Sequence, residues 1–496
     1  MDQPRPLPPF AFRGVGLVAV LQALVLTVLS GRYGFHRDEL YFLAAGKRLD
    51  WSYVDQPPIT PLLARIGSAL FGDTPSGVRV IATLLAVGVV VVIALVAREL
   101  GGDARAQVFA AAGTSLSTYV LVVSHMLSTA TVDLLVWSVI GLLALRLLRT
   151  GDGRLWLAIG AAIGVGLANK WLVLLLVSAL GAAVLLVGPR SVLRTWWLAA
   201  GVGVTALLAA PLVIWQIAHG FPQLTVAAGI SSQDGGENRL MFVPLQLVYL
   251  LPVLVPVWLA GMRRLWREPE LRWARALPVS YLVVCVELLV LGGKPYYSMP
   301  LLLLLVTAGA GSASDWFSRS TPLSGRLLNG AGALVSVVAS VLVALPLLPA
   351  SALGGSFVLA VNKEQAEQVG WPAFTATVAG VWQQIPLGQR DKAVILARNY
   401  GQAGAIDRYG PEHGLPQAFS GHMSYADWGP PPESKNGPVV LVGFKSHEGF
   451  TGCRVITAHD NGIGLDNQEQ GTQITLCAAP AAPWPQLWPT LRRFYT

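Results

Sequence analysis

Eleven apolar runs divide the first 350 residues: 14–30, 77–97, 106–124, 129–148, 155–170, 171–188, 196–217, 241–261, 276–292, 296–312 and 328–350. Each is close to the ~17–25 residues that cross a bilayer as a helix. In lipid every backbone N–H and C=O must be satisfied within its own segment, so such runs fold as helices. The rest of the composition agrees. Of 496 residues, 53% are hydrophobic and 12% charged, and mean hydropathy is +0.56. A soluble domain carries roughly 25% charged residues. A soluble enzyme, a disordered chain and a coiled coil are therefore excluded. Arg5 and Arg13 precede the first run, and Gly-Arg-Tyr-Gly-Phe-His-Arg-Asp-Glu follows it. That sequence holds no small-residue cleavage site, so the run reads as a first transmembrane helix and not a removed signal.

Loop charge gives the expected orientation. With the N-terminus in the cytoplasm, the inner segments carry Arg98 and Arg105; Arg146, Arg149 and Arg154; Arg190 and Arg194; Arg263, Arg264, Arg267, Arg272 and Arg275; Arg319 and Arg326. The short outer loops carry only Lys170, Arg239 and Lys294. This is the positive-inside pattern, broken only by the basic first outer segment, and an odd number of spans leaves the C-terminus outside. The net charge of +8 has the same origin. Residues 351–496 hold ten of the 35 Lys and Arg and eleven of the 27 Asp and Glu, so the surplus lies in the apolar part. No basic patch with interleaved aromatics stands apart from the spans, which argues against nucleic acid.

Two outer segments differ from the rest. The first, 31–76, is long and rich in charge and aromatics. The second, 351–496, has polar residues and short apolar runs. Ala393–Ala397 and Val439–Val442 read as strands and 401–409 as a short helix, a small α/β domain after a transmembrane domain of residues 1–350. Cys453 and Cys477 each lie in a short alternating segment. Pairing those segments as a hairpin would allow a disulfide in an oxidising compartment, the alternative being two separate thiols. Cys285 sits alone in an apolar run and is expected to stay unpaired.

Chemistry concentrates in the first outer segment. It reads His36-Arg-Asp-Glu-Leu-Tyr-Phe-Leu-Ala-Ala-Gly-Lys-Arg-Leu49, then Asp55-Gln-Pro-Pro. From Glu39 to Leu49 the spacing is helical, with Leu40, Leu43 and Ala44 on one face, and such a helix would lie flat on the outer leaflet. Asp38 would sit at its start, as a reactive carboxylate or simply as a helix N-cap.

Asp38-Glu39 soon after the first span, a nearby Tyr and the acidic-x-Pro-Pro element at 55–58 resemble the first external loop of the GT-C glycosyltransferases. The resemblance is strongest to the protein O-mannosyltransferases and the lipid A aminoarabinose transferases. Asp133 preceded by His125, Lys170 in Ala-Asn-Lys-Trp, and Gly293-Lys294-Pro-Tyr-Tyr-Ser-Met-Pro300 extend it. Asn399-Tyr-Gly-Gln and Ser420-Gly-His-Met-Ser-Tyr resemble an uncharacterised bacterial branch. Gln56 departs from the pattern, since the aminoarabinose transferases tend to carry Lys there.

The resemblance implies an α-helical polytopic membrane enzyme of GT-C type, with about eleven spans and an extracytoplasmic α/β domain. It would move a sugar, with inversion, from a polyprenyl-phosphate donor to a hydroxyl of an envelope glycan, lipid or protein outside the membrane. Asp38 is the expected base, with Glu39 beside it. Lys170, Lys294, Arg65, Tyr296 and Tyr297 would meet the donor phosphate, and Asp55, Asp133 and His125 would support them. Plainer roles stand beside these: basic residues at helix ends snorkel, tyrosines form interfacial belts, Asp133 and Glu287 pair with cations, and His125 packs. Some enzymes of this type use a divalent cation. The spacing here offers no known metal motif, so no metal ligand is assigned. A secondary transporter leaves the charged first loop and outer domain unexplained. A non-catalytic envelope scaffold leaves Asp133 and Lys170 unexplained.

Overall fold

The computed structural model describes residues 6–318 and 323–494, with side chains throughout except 314–329. Arg5 and Arg319 lie outside the described residues, as does the side chain of Arg326.

Each apolar run is helical, though not always as one straight rod. Six helices are long and apolar enough to cross a bilayer alone: Phe12–Leu29, Pro75–Glu99, Thr129–Thr150, Trp196–Ala218, Pro269–Leu291 and Pro295–Ala313. Two runs are bent pairs, Ala104–Ser115 with Thr118–His125 at 59° and Gly235–Val248 with Pro252–Arg267 at 81°. Pro252 has no N–H to continue the helix before it, which accounts for the sharper bend. Counting each pair as one span gives eight. Leu155–Leu167, Val173–Val187 and Gly330–Ala344 are shorter apolar helices, so length and composition support six to eight spans where eleven are expected from the runs. Leu207, Ile214 and Ile217 lie exposed along Trp196–Ala218, as a lipid-facing surface requires.

The two ends of the bundle differ chemically. At one end Arg146 and Arg149 converge on the buried Glu99 carboxylate, at 3.3 and 2.6 Å. Arg79 lies toward the other end of the same helix, Pro75–Glu99, and pairs with Glu39 at 2.6 Å. Twenty residues at 1.5 Å rise place these two knots roughly 30 Å apart, the thickness of a hydrocarbon core.

Residues 37–46 form the helix expected in the first outer segment. It does not lie on lipid. Leu40, Leu43 and Ala44 are buried in a cluster shared with Ala403, Ile406 and Phe374 of the C-terminal region. The helix Tyr400–Tyr409 covers the face that would otherwise meet the leaflet. Glycine permits the contact: a Cβ at Gly404 would stand 3.0 Å from the Leu40 backbone.

Among its described residues the C-terminal region holds seven strands, including those expected at 393–397 and 439–442, in a five-stranded mixed sheet and a two-stranded pair. They are β1 (Val394–Ala397), β2 (Phe419–Ser420), β3 (Val439–Val442), β4 (Phe450–Thr451), β5 (Arg454–Ala458), β6 (Gln473–Cys477) and β7 (Ala479–Pro480). The main order is β2-β1-β3-β6-β5, with β4 and β7 paired separately. β1 runs parallel to β2 and β3, and β6 antiparallel to β3 and β5. Residues of β1 and β3 alternate between faces. Ile395, Ala397, Val440 and Val442 join the cluster under the first outer segment. Val394, Leu396, Val439 and Leu441 pack on the helix Trp484–Leu491. The pairing of β5 with β6 brings Cys453 to Cys477, and the two form a disulfide, while Cys285 is free.

Candidate active site

The helix Arg37–Gly46 begins with a capping box built on His36. Its Nδ1 accepts the Asp38 N–H at 3.1 Å, and the Glu39 carboxylate accepts the His36 N–H at 2.9 Å. Capping thus falls to His36, and the Asp38 side chain is left free of it. Because Nδ1 accepts, the imidazole proton sits on Nε2, which donates to Glu364 at 2.9 Å.

The adjacent carboxylates have opposite environments. Glu39 is fully buried. It accepts from Arg79 Nε at 3.0 Å and Nη2 at 2.6 Å, and from the Leu127 N–H at 3.0 Å. Every lone pair facing the protein is committed, so Glu39 fixes the loop to the bundle and is closed to substrate. Behind it Arg79 Nη1 lies 3.4 Å from His125 Nε2, a packed histidine in a supporting layer. The Asp38 side chain is 33% exposed, and its Oδ1 accepts from the Tyr400 hydroxyl at 2.8 Å. Of the pair, only Asp38 can meet an incoming hydroxyl.

Asp55 lies close by and accepts from the Tyr41 hydroxyl at 2.6 Å. Burial raises its pKa to about 6, against the pull of that hydrogen bond. It is within electrostatic reach of Asp38 and Lys170. Neighbouring Gln56 is buried, and its amide has no hydrogen-bond partner among the described residues.

Lys170 is held in the turn between Leu155–Leu167 and Val173–Val187. Its Nζ is 3.4 Å from the Tyr297 hydroxyl and 4.7 Å from that ring's centre. The charges of Asp133 and Asp38 both act on it. Asp133, buried at the start of Thr129–Thr150, accepts from Asn169 Nδ2 at 2.7 Å, and Asn169 accepts from the Thr60 hydroxyl at 2.7 Å. Lys294 immediately precedes the short turn Pro295–Ser298 and reaches Tyr297 and Glu364 electrostatically. Tyr296 meets the Tyr297 ring edge-on at 4.8 Å and stacks on Tyr119 at 6.0 Å.

The structure therefore gathers Asp38, Asp55, Lys170, Lys294 and Tyr297 about one junction, with Asp133 behind Lys170. Arg65 is not among them: it is exposed and donates to the Gly46 carbonyl, at the far end of the helix from Asp38. Arg79 and Glu364 belong to the site and were not singled out from sequence, and Tyr41 and Tyr400, which lie in motifs quoted there, were given no role. A lone Arg opening the second apolar run was the available signal for Arg79. Among the described residues no three His, Cys, Asp or Glu side chains are grouped to hold a metal ion. No step is derived through a metal.

Residues 55–215 match the family described as dolichyl-phosphate-mannose-protein mannosyltransferase. The undecaprenyl phosphate-alpha-4-amino-4-deoxy-L-arabinose arabinosyl transferase 1 of Pseudomonas fluorescens (strain Pf0-1) is 29% identical over 322 residues, 60% of this chain and 55% of that protein. The chain thus spans about half the length of that curated relative. Among solved structures, apo ArnT from Cupriavidus metallidurans superposes with a TM-score of 0.59 at 16% identity, over 94% of this chain and 98% of that one. ArnT from the same organism bound to undecaprenyl phosphate gives 0.60 at 18% identity, over 93% and 97%.

Proposed function

We propose that this chain, a multi-pass membrane protein of GT-C fold that resembles the O-mannosyltransferases and aminoarabinose transferases, is an inverting glycosyltransferase. Its donor is a polyprenyl-phosphate sugar. Its acceptor is a hydroxyl of an envelope glycan, lipid or protein on the outer face of the cytoplasmic membrane. The observation that carries the reading is the junction itself, where the accessible Asp38 carboxylate lies within electrostatic reach of Lys170, and Lys170 and Lys294 both act on Tyr297, at one end of an apolar bundle. ArnT bound to undecaprenyl phosphate supports the choice of donor.

The acceptor hydroxyl gives its proton to Asp38 as its oxygen bonds to the anomeric carbon. The bond from that carbon to the phosphate oxygen breaks, and the electron pair leaves with the lipid phosphate. Lys170 and Lys294 stabilise the charge that gathers there. A single displacement with one base inverts the anomeric centre. Asp55 and Tyr41 hold the floor of the site, and Glu39 with Arg79 fixes the loop.

Lys170→Met and Lys294→Met keep the apolar stems and remove the charges. Each is expected to weaken binding of a short-chain polyprenyl phosphate by about tenfold or more, the scale of a lost hydrogen bond to a charged group. Unchanged affinity in both variants would reduce these lysines to snorkelling residues.

The first outer segment and the C-terminal region pack together, and we assign both to the extracytoplasmic side on loop charge. A membrane-impermeant maleimide on intact cells should then label Cys453 and Cys477 only after reduction. Labelling without reductant would mean no bridge, and labelling only after lysis would place the region in the cytoplasm. Replacing both cysteines by Ser should lower stability by about 3 kcal/mol, the chain-entropy scale for a loop of this size.

A further inference from the structure

We infer that Tyr400, supplied by the C-terminal region, is a positioning residue for Asp38, so that this region completes the reaction centre. The inference rests on the glycosyltransferase reading above. Tyr400 lies 362 residues from Asp38 in sequence, yet its hydroxyl donates to Asp38 Oδ1 at 2.8 Å. Asp38 Oδ2 makes no hydrogen bond among the described residues. The nearest basic groups are His36 Nδ1, 3.8 Å from Oδ2 and already accepting the Asp38 N–H, and Arg37 Nε, 3.8 Å from Oδ1; Lys170 and Asp55 act on the carboxylate at longer range. One oxygen is thus anchored and the other is left to take the acceptor's proton.

The phenol is itself held on several sides. Its ring stacks on Tyr41 at 4.7 Å and on His422 at 5.1 Å, with interplanar angles of 30° and 13°. The Tyr400 N–H reaches His422 Nδ1 at 3.4 Å. Asn399 caps the helix that Tyr400 opens, accepting the Gln402 N–H at 2.8 Å. Gly401 and Gly404 let that helix approach the first outer segment, where added Cβ atoms would stand 3.1 and 3.0 Å from Arg37 and Leu40. Burial and then the Asp38 charge raise the pKa of Tyr400 well above its ordinary value, so the phenol remains a donor at any working pH.

Three tyrosines repeat the arrangement. Tyr41 donates to Asp55, Tyr400 to Asp38, and Tyr425 to Asp407 at 2.9 Å. Tyr41 stacks on both of the others. The column ties two carboxylates of the first outer segment to the C-terminal region. A rotamer change in Asp38 would cost its hydrogen bond, and movement of Tyr400 would cost two ring contacts.

Tyr400→Phe keeps the ring and removes the hydroxyl. In the full-length protein, kcat is expected to fall by about tenfold or more, the scale of a hydrogen bond to a charged group, with KM for the donor unchanged. A carboxylate that loses a donor holds its proton to higher pH, so the acidic limb of the pH–rate profile should move upward. A purely structural tyrosine would move stability and leave the limb in place. Unchanged kcat and profile in Tyr400→Phe, beside an active wild type, would overturn the positioning role and leave the glycosyltransferase reading intact. A wild type that transfers no sugar from any polyprenyl-phosphate donor would overturn that reading, and the positioning role with it.

Discussion

Asp38→Asn is expected to lower turnover by roughly 100-fold or more, the usual scale for losing a general base, while donor binding stays close to wild type. The amide keeps the size of the carboxylate and can still accept the Tyr400 hydrogen bond, so the loop should hold its place. What it lacks is the ability to take a proton. On the proposed mechanism the donor phosphate meets Lys170 and Lys294 and not Asp38, so affinity for a polyprenyl phosphate and the rate of transfer should separate cleanly. Wild-type turnover in the purified Asn variant would remove Asp38 as the base. Loss of donor binding together with turnover would instead mean that the substitution had disturbed the whole loop.

Its neighbour should behave in the opposite way. Arg79→Met leaves the Glu39 carboxylate fully buried without its bidentate partner. Breaking a buried pair by removing one partner typically costs about 3–5 kcal/mol, because the remaining charge is uncompensated. That is a large share of a domain's total stability. The expected result is a marked drop in the temperature at which the detergent-solubilised protein inactivates. Glu39→Gln should be milder, since the amide oxygen can still accept from the Leu127 or His36 N–H. Its turnover should suffer less than that of Asp38→Asn. Unaltered thermal stability in Arg79→Met would show that the knot does not fix the loop to the bundle.

The contrast between these neighbours marks where sequence reading reached its limit. Both carboxylates stand in the same short stretch after the first span; the resemblance points to Asp38 as the base, but one-dimensional pattern does not show what holds each of them. Their difference comes from partners far along the chain: Arg79 for Glu39, and Tyr400, 362 residues away, for Asp38. The bundle was legible because each span carries its own signal, a long apolar run. The C-terminal strands and the disulfide were legible because alternation in 453–457 and 473–477 is local. The bends within two runs were not, since mean hydropathy does not register a break such as that before Pro252. The helix Arg37–Gly46 was legible as an amphipathic element, yet its apolar face was assigned to lipid. Amphipathicity reports that a face is covered but not by what. The cover proved to be the glycine-bearing helix Tyr400–Tyr409. Lys170 and Lys294 came together as expected because both end apolar runs on the same side. Arg65, on that side too, points to the Gly46 carbonyl, since sidedness alone carries no direction.

The central claim is that this bundle binds a polyprenyl phosphate and moves the sugar it carries. Mass spectrometry of the lipid that co-purifies with the protein tests it most directly. The expected species is a polyprenyl phosphate or its monoglycoside, retained by Asp38→Asn and depleted when Lys170 and Lys294 are both replaced by Met. Recovery of ordinary phospholipids alone, identical in all these forms, would contradict the claim.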